Sequence, residues 1–393
     1  LLFLSFLLFL CGCKEQKKES SLLKTPSNSS SITYAKGFTI EKKTSGITII
    51  KVLAPWPNAE ATYTYALIPK EKQALITLNI DEFDAIITVP VENVVVTSTT
   101  HIPALEELGV LDKLIGFPET KFISSKAARA RIENGQIKEL GVNESLNTEA
   151  VLALQPKMVI GFTINGGNSA YETIQRSNIP VIYNGDWVEE TPLGKAEWIK
   201  FFAPFFDKVE EANTFFENIK ESYLNAKELA ATIKVKPTVL SGALYKDVWY
   251  LPGGKSWAAN FLKDANAEYL WNDNHENGSL SLSWESVLNV AKNAEYWIGP
   301  AQFNSYQEME LSSKHYLQFD AYKKRKIFTT ANTMGDTGGT LYYELAPQRP
   351  DLVLKDLIHI CILVYYQTMN RSFLNPYFNC PNTPHTPFIF CCC

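Results

Sequence analysis

The chain has 393 residues, enough for two globular domains of ordinary size, and 46% of them are hydrophobic, enough for sizeable cores. Its net charge of −5 leaves no basic stripe, which argues against a nucleic-acid partner. No cysteine lies between Cys13 and Cys361, so the body of the chain uses neither disulfides nor thiolate metal sites.

Leu1 to Leu10 are apolar apart from Ser5, too short to span a bilayer but suited to the apolar region of a secretory signal. Leu10 and Gly12 ahead of Cys13 resemble a bacterial lipobox. Residues 1–13 are therefore expected to be a lipoprotein signal segment with Cys13 acylated, and the true start is expected upstream of the leucine. The Lys- and Ser-rich stretch 14–31 reads as a flexible tether. Residues 32–93 form a β-rich extension, in which Ile47-Thr48-Ile49-Ile50, Thr62-Tyr63-Thr64-Tyr65 and Ala85-Ile86-Ile87-Thr88 are predicted as hairpin strands. Val94-Val95-Val96-Thr97 then opens a parallel α/β lobe spanning 94–205, continued by Ile115-Gly116-Phe117 and Pro180-Val181-Ile182-Tyr183.

Between the lobes, within 206–236, Val209, Ala212, Phe216, Ile219, Tyr223, Ala226 and Ala230 recur at alternating three- and four-residue steps. A helix over 209–233 would be ~37 Å long, enough to cross two small lobes. A second α/β lobe begins at Pro237-Thr238-Val239-Leu240 and ends by residue 357. After Leu357 the helical periodicity collapses into a Cys-, Pro- and Asn-rich tail, 358–393, which reads as frameshifted or truncated and is assigned no function.

One motif occurs twice. Ser145-Leu146-Asn147-Thr148-Glu149-Ala150-Val151-Leu152 is echoed by Ser281-Leu282-Ser283-Trp284-Glu285-Ser286-Val287-Leu288, and each copy runs into a short apolar strand closed by glycine. Asn147 and Ser283 are predicted helix N-caps, with Glu149 and Glu285 in the first turns. The spacing is too long for a solenoid and implies two lobes of similar build, each presenting one glutamate at the same place.

Two α/β lobes joined by a long helix behind a lipobox resemble the substrate-binding proteins of ABC importers for iron-siderophores, haem and cobalamin. The resemblance covers roughly 94–357. It is carried by Thr148 to Ile160, Asn178-Ile179-Pro180-Val181, Leu251-Pro252-Gly253-Gly254-Lys255-Ser256, the second repeat copy and Arg349-Pro350-Asp351-Leu352-Val353-Leu354. It implies two Rossmann-like lobes with parallel sheets, and capture of a bulky metal chelate in the cleft between them. The protein would have no cofactor of its own. A monomer tethered to the membrane by lipid would hand its cargo to an inner-membrane permease and its ATPase on the periplasmic side of a bacterium. In that family a glutamate on each lobe docks into arginine pockets of the permease, and Glu149 and Glu285 fall on the matching positions.

Ligands of open α/β sheets bind beyond the carboxyl ends of strands. That rule selects Thr99, Thr100, His101, Thr163, Asn165 and Trp187 in the first lobe. In the second it selects Trp249, Tyr250, Ser256, Trp257 and Phe303, with Tyr342 and Tyr343 from a late loop, where aromatic surface suits a bulky planar ligand. No histidine spacing fits a preformed metal site, and no arginine falls on these loops, which disfavours tri-anionic chelates. Gly253-Gly254-Lys255-Ser256 lacks the upstream glycine of a phosphate-binding loop and reads as a tight turn at the cleft. An enzyme acting on tetrapyrroles, with His101 as an acid–base group, and an interaction scaffold are the alternatives.

Overall fold

The structure, a computed structural model, describes residues 32–363 and 391–392; the signal segment, Cys13, the tether and most of the tail lie outside them. Strands β1 (Phe38–Lys42), β2 (Thr48–Val52), β3 (Tyr63–Pro69) and β4 (Ala85–Val89) form one sheet in that order. The first three pair as antiparallel hairpins, but β3 and β4 pair in parallel. The hairpin expectation fails there because the long connection between them carries the chain back along the sheet before β4 begins. Alternation sorts the side chains. Phe38, Ile40, Ile50, Val52, Tyr65 and Leu67 enter the core of the first lobe, while Ile47, Ile49 and Ala66 form a small cluster on the other face. The extension is thus a layer of the first lobe.

That lobe contains β5 (Val94–Val96), β6 (Leu114–Phe117), β7 (Lys138–Glu139), the hairpin β8 (Gly141–Val142) and β9 (Ser145–Leu146), β10 (Val159–Gly161) and β11 (Val181–Tyr183). Its sheet runs β11-β10-β5-β6-β7, parallel throughout. Every residue of β5, β10 and β11 is buried, as unbroken apolar runs require when both faces are covered.

The helix Val209–Ala231 has 23 residues, ~34 Å of length at 1.5 Å each. Ala212, Phe216 and Ile219 in its first half pack into the first-lobe core, and Tyr223, Ala226 and Ala230 in its second half into the other. One apolar stripe serves both lobes.

The second lobe adds β12 (Thr238–Ser241), β13 (Ala243–Tyr245), β14 (Val248–Pro252), β15 (Glu268–Tyr269), β16 (Ser279–Ser283), β17 (Tyr296–Ile298), β18 (Ile327–Thr329) and β19 (Cys391–Cys392). The main sheet runs β15-β12-β17-β18-β19, with only β19 antiparallel, and β13-β14-β16 form an antiparallel side sheet. Beyond Leu357 the structure corrects the sequence reading. The helix Pro350–Ile358 continues as a π-turn through Leu363, and Ile358, Ile360 and Cys361 are buried in the second-lobe core. The wider π winding shifts the apolar spacing, so the 3.6-residue period vanishes where the helix does not. Among the described residues, no helix is long and apolar enough to cross a membrane.

Candidate functional site

Each sheet has a point where the strand order reverses, between β5 and β10 in the first lobe and between β12 and β17 in the second. A crevice opens at the carboxyl end of such a pair because successive connections leave on opposite sides. Both points carry a cavity. The first, about 570 Å³, is lined by Thr97, Ser98 and Thr99 after β5, Phe117 and Glu119 around the end of β6, and Phe162 after β10. Gln302, Met334, Gly339, Thr340 and Tyr343 of the second lobe close its far side. The second cavity, about 250 Å³, is lined by Ser241, Ile298 and Gly299 at the ends of β12 and β17, with Trp257, Phe261, Tyr342 and Tyr343. Tyr343 lines both, so the cavities adjoin in one cleft.

The polar floor of the first cavity is satisfied from within. The Tyr171 hydroxyl donates to Asn143 Oδ1 at 2.8 Å and lies 2.9 Å from the Thr97 hydroxyl. Open to a ligand are the Phe122 and Phe162 rings of the first lobe, the Tyr343 ring of the second and, at the lip, the Glu119 and Glu144 carboxylates, while Phe117 lies beneath them in the first-lobe core.

A second-lobe strap, 334–345, crosses to the first lobe beside this cavity. Thr337 Oγ1 donates to the Lys121 carbonyl at 2.6 Å, and a side chain at Gly339 would collide with the Phe122 carbonyl, so only glycine lets the strap approach this closely. Glu344 completes the contact. Its buried carboxylate accepts from Ser124 N at 2.6 Å and Ser125 N at 2.9 Å, while the Ser125 hydroxyl donates to Glu106. Burial pushes the Glu344 carboxyl up to about 7, the two amides oppose that rise, and the Glu106 carboxylate adds to it.

Thr99 in the first cavity, Trp257 and Tyr342 in the second, and Tyr343 in both are the expected ligand residues that the cleft brings together. Others are placed differently. His101 is fully buried against Phe202, its ring centroid 5.3 Å away, and burial holds its pKa below the usual value against the pull of Asp186 and Asn184. As the first residue of a helix turned into the core, it cannot reach a ligand in the cleft. Trp249 is buried in the second-lobe core, 5.2 Å from Trp297, its indole N–H donating to the Ser241 carbonyl at 3.1 Å. Tyr250, the next residue of the strand, points the opposite way, is exposed, and lines neither cavity.

Ser256 is a cap, accepting from Ala259 N at 3.2 Å, and Gly254-Lys255 border a separate polar groove with His275 rather than the cleft. The Thr100 hydroxyl donates to Asp186 at 2.7 Å. Thr163 is buried, Asn165 is exposed outside both cavities, and Phe303 packs edge-on to Tyr316. Trp187 is half-buried, and its carbonyl accepts from Lys195 Nζ at 2.9 Å. Sequence reasoning found the end of the strap through Tyr342 and Tyr343 but missed the rest of it and the lining roles of Phe117, Glu119 and Phe122, although the carboxyl-end rule, carried to β6 and β18, points to both loops.

The repeat copies occupy equivalent places. Asn147 accepts from Ala150 N and Ser283 from Ser286 N, capping helices that lead into β10 and β17, the strands across the reversal from β5 and β12. Helices of such lobes run antiparallel to their strands, so both first turns face the side on which the cavities open. Glu149 and Glu285 are exposed there.

Residues 94–333 match the family described as periplasmic binding protein. An uncharacterized lipoprotein of Methanocaldococcus jannaschii is 24% identical over 313 residues, 77% of this chain and 73% of its own length. Among solved structures, a possible iron-binding, periplasmic solute-binding protein of Staphylococcus epidermidis superposes with a TM-score of 0.55 at 17% identity, over 70% of this chain and 99% of that one. A periplasmic haem-binding protein of Vibrio cholerae gives 0.53 at 17% identity, over 67% and 99%. These likenesses establish a shared fold.

Proposed function

The chain belongs to the periplasmic binding protein family, and from that premise we propose that it captures a bulky metal chelate in its inter-lobe cleft and delivers it to an ABC importer. One observation carries the proposal: the cavities at the two switch points meet at Tyr343 and are walled by aromatic rings from both lobes. Such a cleft offers large, rigid apolar area with a floor whose polar groups are already paired, which suits a large planar or globular complex better than a small hydrophilic solute. The iron- and haem-related names of the structural neighbours point the same way. Delivery would rest on Glu149 and Glu285, and extracytoplasmic anchoring on Cys13. The acid–base group on which an enzymatic reading would rely, His101, lies in the core away from the cleft.

The test is a ligand screen on the purified protein with cobalamins, haem and ferric siderophores, read by thermal shift and tryptophan fluorescence. A binding protein of this kind gains melting temperature with at least one of them, by mass action on the folded state. If none shifts the melting of well-folded protein, the proposal is wrong.

A further inference from the structure

The charge of the first cavity narrows the class of ligand. Among the described residues that line it there is no lysine, arginine or histidine, but there are two glutamates, Glu119 and Glu144. Lys121 stands beside Glu119, its ammonium 3.7 Å from the carboxylate and 4.7 Å from the Phe122 ring centroid, and offsets that charge in part. Glu144 is exposed and has no ion-pair partner among the described residues. Asp336, also exposed, sits in the strap between two lining residues, Met334 and Gly338. Glu119 is held at the lip with a left-handed backbone, φ 48°, by the Glu139 carboxylate, which accepts from Glu119 N at 2.8 Å and Thr120 N at 2.9 Å. The second cavity is lined without any charged side chain.

We infer that the cleft selects a metal complex bearing net positive charge, held by aromatic walls and drawn in by the first-lobe carboxylates, and excludes complexes bearing net negative charge. This rests on the binding-protein reading above and adds its substrate class. A complex that presents carboxylate or catecholate charge outward would meet the unpaired Glu144 carboxylate and the partly offset Glu119, both of its own sign, which repels the wrong partner. A cationic complex meets the opposite field, strengthened by the chain's net charge of −5. It also meets the electron-rich face of the part-exposed Phe162 ring.

A charge series on one scaffold tests this: a ferric linear trihydroxamate with its free terminal amine (cationic), N-acetylated (neutral) and N-succinylated (anionic). Aquacobalamin, cyanocobalamin and haem form a second set. Affinities are measured by fluorescence quenching at low and high salt. The cationic member should bind at least about tenfold tighter than the anionic one at low salt, with the gap shrinking as screening rises. Glu144→Gln, at an exposed position, should shrink the same gap by about fivefold. Equal or tighter binding of the anionic member, or a gap unchanged by Glu144→Gln, overturns the charge rule and leaves the binding-protein reading standing. Binding of no chelate in either set overturns that reading itself, and the charge rule with it.

Discussion

In the first lobe the chain lays down β5, adds β6 and β7 on one side, and only then crosses to β10 and β11 on the other. In the second lobe it lays down β12, adds β15 alone, and crosses at once to β17 and β18. The sheets therefore differ in strand order, and the lobes are not copies of one another. What they share is the crossing: in both, the capped helix with its first-turn glutamate feeds the first strand beyond the reversal. The sequence repeat thus marks the switch point, which is where each lobe opens its cavity. The linings divide the work. The first lobe supplies carboxylates and phenyl rings, the second an uncharged wall around Trp257 and Tyr342.

The sharpest way to break this division is to compare two tryptophans of the second lobe. Trp249 lies in the core and Trp257 on the cleft. Trp249→Ala should cost about 3–5 kcal/mol of stability, the usual range for a buried large aromatic. Trp257→Ala should cost clearly less stability and instead weaken chelate binding. Urea melts and ligand titrations of both variants separate the effects. If Trp249→Ala leaves stability unchanged while abolishing binding, the assignment of the two walls is reversed.

That contrast also marks how far the sequence could be read. The valine run of β5, the bridging helix and both caps are local patterns, and each is legible because burial imposes a period. Trp249 was legible too. Alternation through Val248-Trp249-Tyr250-Leu251 allows only one of Trp249 and Tyr250 to face the core, so the pleat excludes both from facing one ligand. The strap's contact with the first lobe was not legible. Glu344 meets Ser124 across 220 positions, and nothing in a five-residue helix announces a partner in the other lobe. Glu119 to Phe122 looks like an ordinary polar turn until the second lobe closes over it.

The strap gives the next comparison, between lobes joined and lobes apart. Buried beside Glu106, the Glu344 carboxyl titrates at about 7, against 4.5 when free. A pKa raised in the joined form means that form holds the proton more tightly. The stabilisation is complete below the free value and is lost as pH rises through about 7. Melting temperature should therefore fall between pH 5.5 and 8, through an effect on the order of 1–3 kcal/mol. Glu344→Gln, which carries no proton to lose, should flatten the profile over that window. The Ser124 and Ser125 amides should also exchange faster at pH 8 than the pH dependence of intrinsic exchange accounts for. A variant that keeps the parent's slope would place the titration elsewhere.

The smallest effect on the folded protein should come from the feature that the lobes share most closely. Glu149 and Glu285 sit in first turns, where a carboxylate stabilises its helix through the N-terminal dipole by about 0.3–1 kcal/mol. Replacing each with alanine should therefore lower stability by no more than that, since Asn147 and Ser283 keep the caps. Chelate affinity should hardly move, because neither residue lines a cavity. The dipole accounts for a glutamate in either helix, but not for exposed carboxylates at equivalent positions on both lobes, on the side where the cleft opens. Paired charge-assisted bonds to arginines on a permease would seat the cleft over the translocation path. The double variant, expressed in cells that lack the parent protein, should bind chelate normally and import none, and each single variant should be impaired to a similar degree. Normal import by the double variant would reduce both glutamates to helix partners. Loss confined to one single variant would mean that the lobes are equivalent in fold but not in docking.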